Sequence, residues 1–522
     1  MDAAGKDANW VYTAPGTPDP YTPAKVTTAQ LEENHMRLEQ NHMNLEQNHL
    51  RLHVCMHRAT CAWAIVLGLV LLVMAGPTST QPIDIPATWG GDFWSRPRLT
   101  GSWGGLRDEL GKKGVVLDLD LLQFLQVVAS GGQDEVARYF GLAEYTLNVD
   151  TQKLGLWPGG FLRVQGMSGF GESVDSASKA FIPPSLVSLL PLPGETTTGL
   201  MNLTFMQFLS PHFAAVAGKM SGLGADENAF AHDYHTTFVN AALDFNMATA
   251  LFPLTAFGGG LVILPWEGAV FTAAALDPDG TATNNDISEA FKDGVLVAAE
   301  GRITIKPFGL VGHQLLGGGW SNKERGSLRQ DPSNLARLLL TQQFPRLANP
   351  GVFLERFLER FFPSLLVPVQ PLNQVNYTWT VYYNFDQYLW SPEGVPDRGI
   401  GVFFRFGASD GVANPIKYTY NVGIGGKGLV PGRPCDNFGI GWARTELSDN
   451  FVPFLRQQLR LGLGHEDAIE LYYNAAIAPW INAALDLQII DQALARTFDA
   501  SGTRLRDLDT AVVLGLRVYA RF

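Results

Sequence analysis

Clustered basic residues and cysteine pairs are the features that this sequence most clearly lacks. Its 38 lysines and arginines are outnumbered by 50 aspartates and glutamates, so the formal net charge is −12, whereas a phosphate-binding surface requires the opposite balance. It has three cysteines, and none stands at the spacing of a zinc site. We therefore expect no nucleic-acid partner, no disulfide, no metal and no other cofactor.

Long apolar runs are also absent beyond residue 90, so no helix in that part of the chain is expected to cross a membrane. One shorter run, Ala62–Met74, lies between Arg58 and the small residues around Ala75. This arrangement predicts a signal peptide over residues 56–76, with an uncleaved membrane anchor as the alternative. Residues 1–55, which contain a heptad-like repeat, are then an N-terminal extension or an artefact of the assigned start site.

What the chain does contain is a series of segments in which apolar and polar side chains alternate, separated by glycine, proline, asparagine and aspartate. In the last segment, Val512–Phe522, one face is apolar and the other carries Arg517 and Arg521. An arginine that faces lipid at mid-depth costs roughly 2–4 kcal/mol, and a strand in lipid needs every backbone group paired. The pattern therefore predicts a closed barrel whose polar face lines a water-filled lumen, with a soluble β-sandwich as the alternative.

The predicted fold class is all-β, a transmembrane antiparallel β-barrel of about sixteen strands with long extracellular loops and short helical insertions. Residues 77–100 are assigned to an N-terminal periplasmic or plug segment, and residues 101–522 to the barrel. Residues 321–375 break the alternation and hold two helical candidates, Asn334–Phe344 and Val352–Phe362. Because long loops are usually functional, we predict that this segment is a lid or a constriction.

Several motifs occur together in the second half of the chain. They are an aromatic-arginine-aromatic strand, two turns and a glycine-rich segment, namely Phe404-Arg405-Phe406, Ser409-Asp410-Gly411, Asn414-Pro415, and Gly432-Arg433-Pro434-Cys435-Asp436 leading to Gly439 and Gly441. Four further segments agree: SWGGLRDELGKKGV, YNFDQYLW, the stretch Glu466–Ile490, and the terminal LRVYARF. Taken together, the motifs resemble those of the carbohydrate-selective porin family, typified by the outer-membrane glucose porin. Residues 1–55 have no counterpart in that pattern, and the 321–375 insertion is longer.

The resemblance implies an outer-membrane porin for passive, sugar-selective diffusion of monosaccharides and other small carbohydrates, with a general diffusion porin as the alternative. It implies no enzymatic activity, and the sequence agrees, because it lacks a Gly-x-Ser-x-Gly elbow and a Walker-type loop. His232 and His235 stand three residues apart without an acidic ligand at metal-site spacing, so we interpret them as part of a solvent-exposed loop.

A neutral sugar is bound by groups that form several hydrogen bonds and by rings that contact its C–H faces. Candidate pore-lining residues of these types are Arg405, Arg433, Asp436, Trp442, Arg444, Glu446, Arg456, Arg460, Glu470, Tyr472 and Arg517. For each arginine, the alternative is an ion pair that braces the wall. The expected partners are glucose-like carbohydrates, outer-membrane lipid, and the barrel-assembly machinery, through Phe522. Whether the barrels form homo-oligomers stays open.

Overall fold

The structure is a computed structural model that describes residues 85–224, 226–330, 372–395, 398–451, 456, 460–498 and 504–522. The predicted signal peptide and N-terminal extension lie outside these residues. So do residues 331–371, which make up most of the predicted lid, and both predictions therefore remain predictions.

Twenty strands are described. They are β1 (Val115–Gly132), β2 (Ala137–Asp150), β3 (Gly160–Gly171), β4 (Thr198–Ser210), β5 (Phe213–Ser221), β6 (Thr255–Ile263), β7 (Ala269–Leu276), β8 (Leu296–Ile305), β9 (Gly312–Ser321), β10 (Arg325–Gly326), β11 (Gln374–Val375), β12 (Thr378–Trp390), β13 (Gly399–Ser409), β14 (Ile416–Lys427), β15 (Asn437–Leu447), β16 (His465–Ala478), β17 (Ile481–Asp491), β18 (Arg496–Phe498), β19 (Leu505–Asp507) and β20 (Asp509–Arg521). Strands β10 and β11 form one small hairpin, and β18 and β19 form another. The other sixteen strands close into one barrel, in which β20 pairs antiparallel with β1. The predicted fold class and the strand number are confirmed.

The helices are short. They are α1 (Leu106–Lys112), α2 (Asp175–Ser178) and α3 (Ala241–Asp244), with single 3-10 turns at Trp103–Gly105, Leu186–Leu189, Gly222–Gly224, Met247–Thr249 and Pro307–Gly309. None of the helices in the described part of the chain is long and apolar enough to span a membrane.

Because successive side chains of a strand point to opposite faces, each barrel strand has one face toward the interior and one toward the outside. In β13, Phe403 and Arg405 are buried, whereas Phe404 between them is partly exposed on the outer face. In β20, Arg517 is 1% exposed, whereas Leu514 is 46% exposed on the opposite face. Both arrangements agree with the predicted faces, because lipid excludes the arginines and the interior accepts them.

The two ends of the barrel differ in their connections. At one end β4 and β5 are joined by residues 211–212, and β16 and β17 by residues 479–480. At the other end β5 and β6 are joined by residues 222–254, and β9 and β12 by residues 322–377. Short turns are typical of the periplasmic end and long loops of the extracellular end.

The N-terminal segment packs against the periplasmic end of the seam between β1 and β20. The Leu99 N–H donates to the Arg521 carbonyl at 2.7 Å. The Arg107 guanidinium contacts Asp118 at 2.7 Å and the Phe522 backbone oxygen at 3.1 Å. Arg107 therefore links the N-terminal segment to the periplasmic ends of β1 and β20.

Two extracellular loops fold into the barrel. We call residues 172–197 inner loop A and residues 222–254 inner loop B; they are joined by hydrogen bonds such as Leu186 N–H to Val239 O at 2.9 Å. Together with the wall they form the main apolar core, in which the Phe238 ring lies 5.3 Å from Phe403 and 4.7 Å from Tyr472. Much of the interior of this barrel is therefore packed protein.

Glycines on the inward face of the wall leave room for inner loop B. A Cβ atom at Gly425 would lie 2.7 Å from the Phe230 side chain, and one at Gly439 would lie 2.9 Å from Phe238. Real Cβ atoms do not approach other atoms so closely. Gly439 belongs to the glycine-rich motif, so the packing of this loop gives a physical reason for that glycine.

Candidate functional site

Arg405 is the strongest anchor between the wall and inner loop B. Its side chain has no exposed surface, and its Nε donates to the Asp226 carboxylate at 2.5 Å. Nη1 donates to the Leu243 carbonyl at 2.8 Å, and Nη2 donates to the Ala231 carbonyl. One guanidinium thus holds three points of the loop with charge-assisted hydrogen bonds.

Three neighbouring predicted residues have the same kind of role. Both carboxylate oxygens of Glu470 accept hydrogen bonds at 2.8 Å, from the N–H groups of Val239 and Asn240. Arg517 donates to the Tyr234 carbonyl at 2.9 Å. Tyr472 packs its ring on Phe238. Arg405, Glu470, Tyr472 and Arg517 therefore face inward as predicted, but the inner loops cover them.

Inner loop A is held in a similar way by a residue that the sequence analysis did not select. The Glu466 carboxylate accepts hydrogen bonds from the N–H groups of Phe181 at 2.6 Å and Ile182 at 2.8 Å. Gln488 joins the two loops, because it accepts from the Asn240 side chain at 3.0 Å and donates to the Pro184 carbonyl at 2.9 Å. The wall therefore fixes both loops mainly through their backbone.

The two histidines of the His232–His235 segment lie on inner loop B inside the barrel, so their interpretation as part of a solvent-exposed loop was wrong. His235 contacts Asp233 at 2.7 Å and Glu144 of β2 at 3.3 Å. Burial alone would lower the pKa of His235, but these two carboxylates raise it well above its ordinary value. Among the described residues, no group of three or more side chains could hold a metal ion.

Asp244 on α3 is a buried carboxyl group of the same loop. Its burial raises its pKa to about 7, although Arg405 opposes that shift. Asp244 therefore changes its charge near neutral pH, inside the segment that narrows the barrel.

Three predicted residues lie on the outer face of β15. The buried, inward positions of this strand belong to Gly441, Ala443 and Thr445, so the alternate residues Trp442, Arg444 and Glu446 project outward. Arg444 makes two hydrogen bonds to Asp467 of β16, at 2.9 and 2.7 Å, and the Trp442 indole donates to the same carboxylate. Their prediction as pore-lining residues was wrong, because the alternation of side chains along β15 places them on the outer face.

Arg433 and Asp436 lie in the periplasmic turn between β14 and β15, not in the lumen. They contact each other at 2.8 Å, and Asp436 accepts a hydrogen bond from the Ala476 N–H at 2.9 Å. Burial would raise the pKa of Asp436, but these partners and the Tyr473 hydroxyl hold it below its ordinary value. The pair therefore ties the turn to β16.

Arg456 and Arg460 also lie away from the predicted position. They belong to the extracellular connection between β15 and β16, residues 448–464, where Arg456 donates to the carbonyls of Ser448 and Gly462. In the sequence, both arginines alternate with leucines, a pattern that predicts a strand with the arginines on its inward face. Among the described residues of this connection, however, none belongs to one of the named strands.

A chamber with a mostly apolar lining lies on the opposite side of inner loop B, against β7, β8, β9 and β12. Its volume is about 190 Å3, and its polar side chains include Asp226, Asn246, Glu300, Tyr382 and Asn384. The Tyr382 hydroxyl donates to Glu300 at 2.8 Å. The chamber thus combines carboxylate and amide groups with the rings of Phe245, Phe252 and Tyr382, and groups of these kinds suit a neutral polyol.

An ion pair adds a donor on the same strand as Glu300. Arg302 Nη1 lies 2.7 Å from the Glu227 carboxylate of inner loop B, and the Glu227 side chain is 67% exposed. The sequence analysis missed this chamber. The signal was present in β8, where Glu300 and Arg302 occupy alternate positions together with Ala298 and Thr304.

Comparisons with known proteins agree with this architecture. The family model described as the carbohydrate-selective porin, OprB family, matches residues 134–522. The high pH structure of Pseudomonas putida OprB aligns with a TM-score of 0.66 and 20% identity over 83% of this chain and 100% of that chain. At this identity the likeness shows a shared fold alone. No curated protein matches the chain.

Two other solved structures align more loosely and carry no argument. The low pH structure of Pseudomonas putida OprB gives a TM-score of 0.47 at 17% identity, over 82% of this chain and 99% of that chain. The outer membrane channel DcaP of Acinetobacter baumannii gives 0.44 at 8% identity, over 78% and 97%.

The family match covers the barrel from β2 to the last residue and leaves out β1. The interior holds inward-facing polar groups beside two inner loops, and the fold is the sixteen-stranded barrel of an outer-membrane channel. The chain belongs to the carbohydrate-selective porin family, and it is a non-enzymatic, carbohydrate-selective channel of the outer membrane.

Proposed function

We propose that glucose-like monosaccharides diffuse passively through this barrel along the chamber between inner loop B and strands β7, β8, β9 and β12. The chamber supports this proposal, because Glu300 and Tyr382 line it. By contrast, Arg405, Glu470 and Arg517 are already bonded to the inner loops. A sugar in the chamber exchanges hydrogen bonds with water for hydrogen bonds with these groups.

Weak binding fits this role. Each hydrogen bond that replaces one to water contributes about 0.5–1.5 kcal/mol, or about 1.5–3 kcal/mol when the partner is charged. A few such bonds favour entry, yet they allow the sugar to leave without an energy source. We infer that occupancy of the chamber partly blocks the ion current through the same passage.

A planar-bilayer titration tests this proposal. Glucose is expected to reduce the single-channel current of the wild-type protein, and Glu300→Gln is expected to raise the half-blocking concentration about tenfold, which corresponds to about 1.4 kcal/mol. The matched control is Asp491→Asn, which changes an exposed carboxylate at the end of β17 and leaves the titration unchanged. A current that glucose does not reduce would instead identify a general diffusion porin.

The barrel-assembly machinery is the proposed partner during insertion, through the aromatic residue Phe522. Its N–H donates to the Leu119 carbonyl of β1 at 2.7 Å, so it lies at the seam between the first and last barrel strands. Phe522→Ala is expected to lower the amount of inserted barrel in outer-membrane fractions, whereas Tyr519→Phe is not. Homo-oligomerisation stays a prediction, and chemical cross-linking in native membranes tests it.

A further inference from the structure

A further extracellular connection also reaches the barrel interior. We call residues 277–295, which join β7 to β8, the β7–β8 loop. Ala282 of this loop is 1% exposed and belongs to the main apolar core, together with residues of inner loops A and B. The Leu200 N–H of β4 donates to the Ala282 carbonyl at 2.8 Å. A Cβ atom at Gly199 would lie 2.5 Å from the Ala282 Cβ, so a wall glycine leaves room for this loop as well.

Lys219 of β5 is the charged group that holds the β7–β8 loop. It has no exposed surface. Its Nζ donates to the Asn284 carbonyl at 2.8 Å, to Asn285 Oδ1 at 2.7 Å and, over a longer distance, to the Ala282 carbonyl at 3.4 Å. Each of these acceptors is a neutral oxygen. Lys219 therefore differs from Arg405, which also binds a carboxylate.

An ammonium group suits these acceptors because it carries several N–H donors on one small centre and no acceptor. The Phe257 ring lies 5.6 Å from Nζ and also favours a cation. A buried charge is costly unless hydrogen bonds replace its water, so the burial of Lys219 and the position of the loop depend on each other. Without the ammonium, Asn284 O and Asn285 Oδ1 lose this donor.

The β7–β8 loop borders the proposed passage. Leu276 and Leu296, the strand residues at its two ends, line the chamber. Gly280, Thr281 and Ala282 line a neighbouring cavity of about 460 Å3, which inner loops A and B also line. The loop thus starts and ends at the chamber and occupies part of the interior beside it. If it left this position, the interior on the side of β7 and β8 would become wider.

We propose that Lys219 is a positioning residue that keeps the β7–β8 loop inside the barrel and thereby limits the width of the conducting interior. Its ammonium group is a tethered cation among neutral oxygens, so a free alkylammonium ion of matching length can replace it when the side chain is shortened. The inference goes beyond the proposed function, because ion conductance tests it without a sugar. A missing sugar block would leave it intact.

Single-channel conductance with chemical rescue tests the role of the ammonium group. Lys219→Ala is expected to raise the conductance in KCl about twofold over the wild type, because buried acceptors of the loop lose their donor. The propyl chain and ammonium of propylammonium match the atoms that this substitution removes. Added propylammonium chloride is therefore expected to return the ratio of variant to wild-type conductance to about one. Tetramethylammonium, a cation without an N–H donor, is expected to leave the ratio raised.

Lys219→Met is the matched control, because methionine fills the same space without a charge. Its conductance is expected to rise as in Lys219→Ala, but propylammonium should not reverse the rise, because the space is occupied. Unchanged conductance in Lys219→Ala would overturn the inference, as would a rise that propylammonium does not reverse. Reversal by tetramethylammonium, or reversal in Lys219→Met, would show that the amine acts elsewhere in the channel and would also overturn it.

A variant of the loop itself tests the same contact without a change in the buried lysine. Asn285→Ala removes one acceptor at an exposed position, where folding is least affected, and is expected to raise the conductance about 1.5-fold. Thr283→Ala, at another exposed position of the loop, is the control that keeps the wild-type conductance. If Lys219→Ala forms no barrel, Asn285→Ala decides, and a conductance equal to that of the wild type would overturn the inference.

Discussion

The two sides of the barrel wall use their interior in different ways. On the side of β13, β16, β17 and β20, inward charges such as Arg405 and Glu470 are fully buried beneath inner loop B and bind its backbone. On the side of β7 and β8, the strands are short, and Glu300 faces a cavity. An inward charge is therefore not by itself a solute contact. In the proposed function, the loop-covered side positions the constriction and the open side is the one that solutes contact.

The largest effect is expected from a substitution that detaches inner loop B from the loop-covered side of the wall. Arg405→Ala leaves Asp226 and two loop carbonyls without their donor, and removal of one partner of a buried ion pair typically costs about 3–5 kcal/mol. We expect the barrel to form, the single-channel conductance to rise at least twofold, and the block by glucose to disappear. The conductance and the glucose block of Arg405→Lys are expected to lie between those of the wild type and those of Arg405→Ala, because an ammonium group cannot reproduce the hydrogen bonds of the planar guanidinium group. Unchanged conductance in Arg405→Ala would show that this residue does not position the loop.

A bulkier residue at a wall glycine is expected to have the next largest effect. Gly425→Val adds atoms that meet the Phe230 side chain, and such overpacking costs about 1–3 kcal/mol. The conductance should increase and become noisier as inner loop B is displaced. Gly259→Val is the control for added bulk that meets no inner loop, because Gly259 pairs with the exposed Ala275 on the outer face and a Cβ atom there lies 3.5 Å from the Val216 oxygen, in ordinary contact. Equal effects of the two variants would contradict the role of the contact between Gly425 and inner loop B.

Asp244 is expected to make the stability and the current noise of the channel depend on pH. Burial raises its pKa to about 7, so the folded protein keeps this proton at pH values at which the unfolded chain, with a carboxyl pKa of about 3.9, has lost it. The free energy of unfolding therefore falls as the pH rises from about 4 to about 7. Above that range the carboxylate is charged inside inner loop B. We expect current noise to increase between pH 6 and pH 8 in the wild type and to stay constant in Asp244→Asn. A parallel increase in both proteins would exclude Asp244 as the cause.

The smallest effect is expected for Arg444, the arginine that lies on the outer face. Arg444→Ala removes its ion pair with Asp467, and exposed pairs are worth about 0.2–1 kcal/mol. Conductance and the block by glucose should match those of the wild type, and thermal unfolding of the barrel in detergent should shift slightly or not at all. A clear change in sugar block would return Arg444 to the list of solute contacts.

The sequence was sufficient to predict the barrel, because its strands are identified by the local alternation of apolar and polar residues. Lipid requires that charged residues such as Arg405 and Arg517 face inward, so the inward faces of β13, β16 and β20 could be predicted from the chain alone. The motif as a whole also identified the family. These features depend only on neighbouring residues or on the residue types along one face of a strand.

The site could not be predicted in the same way because it depends on contacts between distant residues. Nothing near Glu470 in the sequence indicates that Val239 and Asn240 bind it, and the covering loops were not recognised. For Trp442 and Arg444, the residue types suggested a solute contact, but the face that they occupy depends on the register of β15. Arg456 and Arg460 were misplaced because regularly spaced leucines in a sequence do not by themselves specify a strand.

The wall holds both inner loops mainly by their main-chain groups: the N–H groups of Phe181, Ile182, Val239 and Asn240, and the carbonyls of Ala231, Tyr234 and Leu243. Every amino acid except proline provides both groups. Substitution of the loop side chains can thus alter which solutes are admitted while the attachment is preserved. Such a channel can evolve new solute preferences through substitutions in its inner loops, while the main-chain contacts that attach these loops to the wall stay the same.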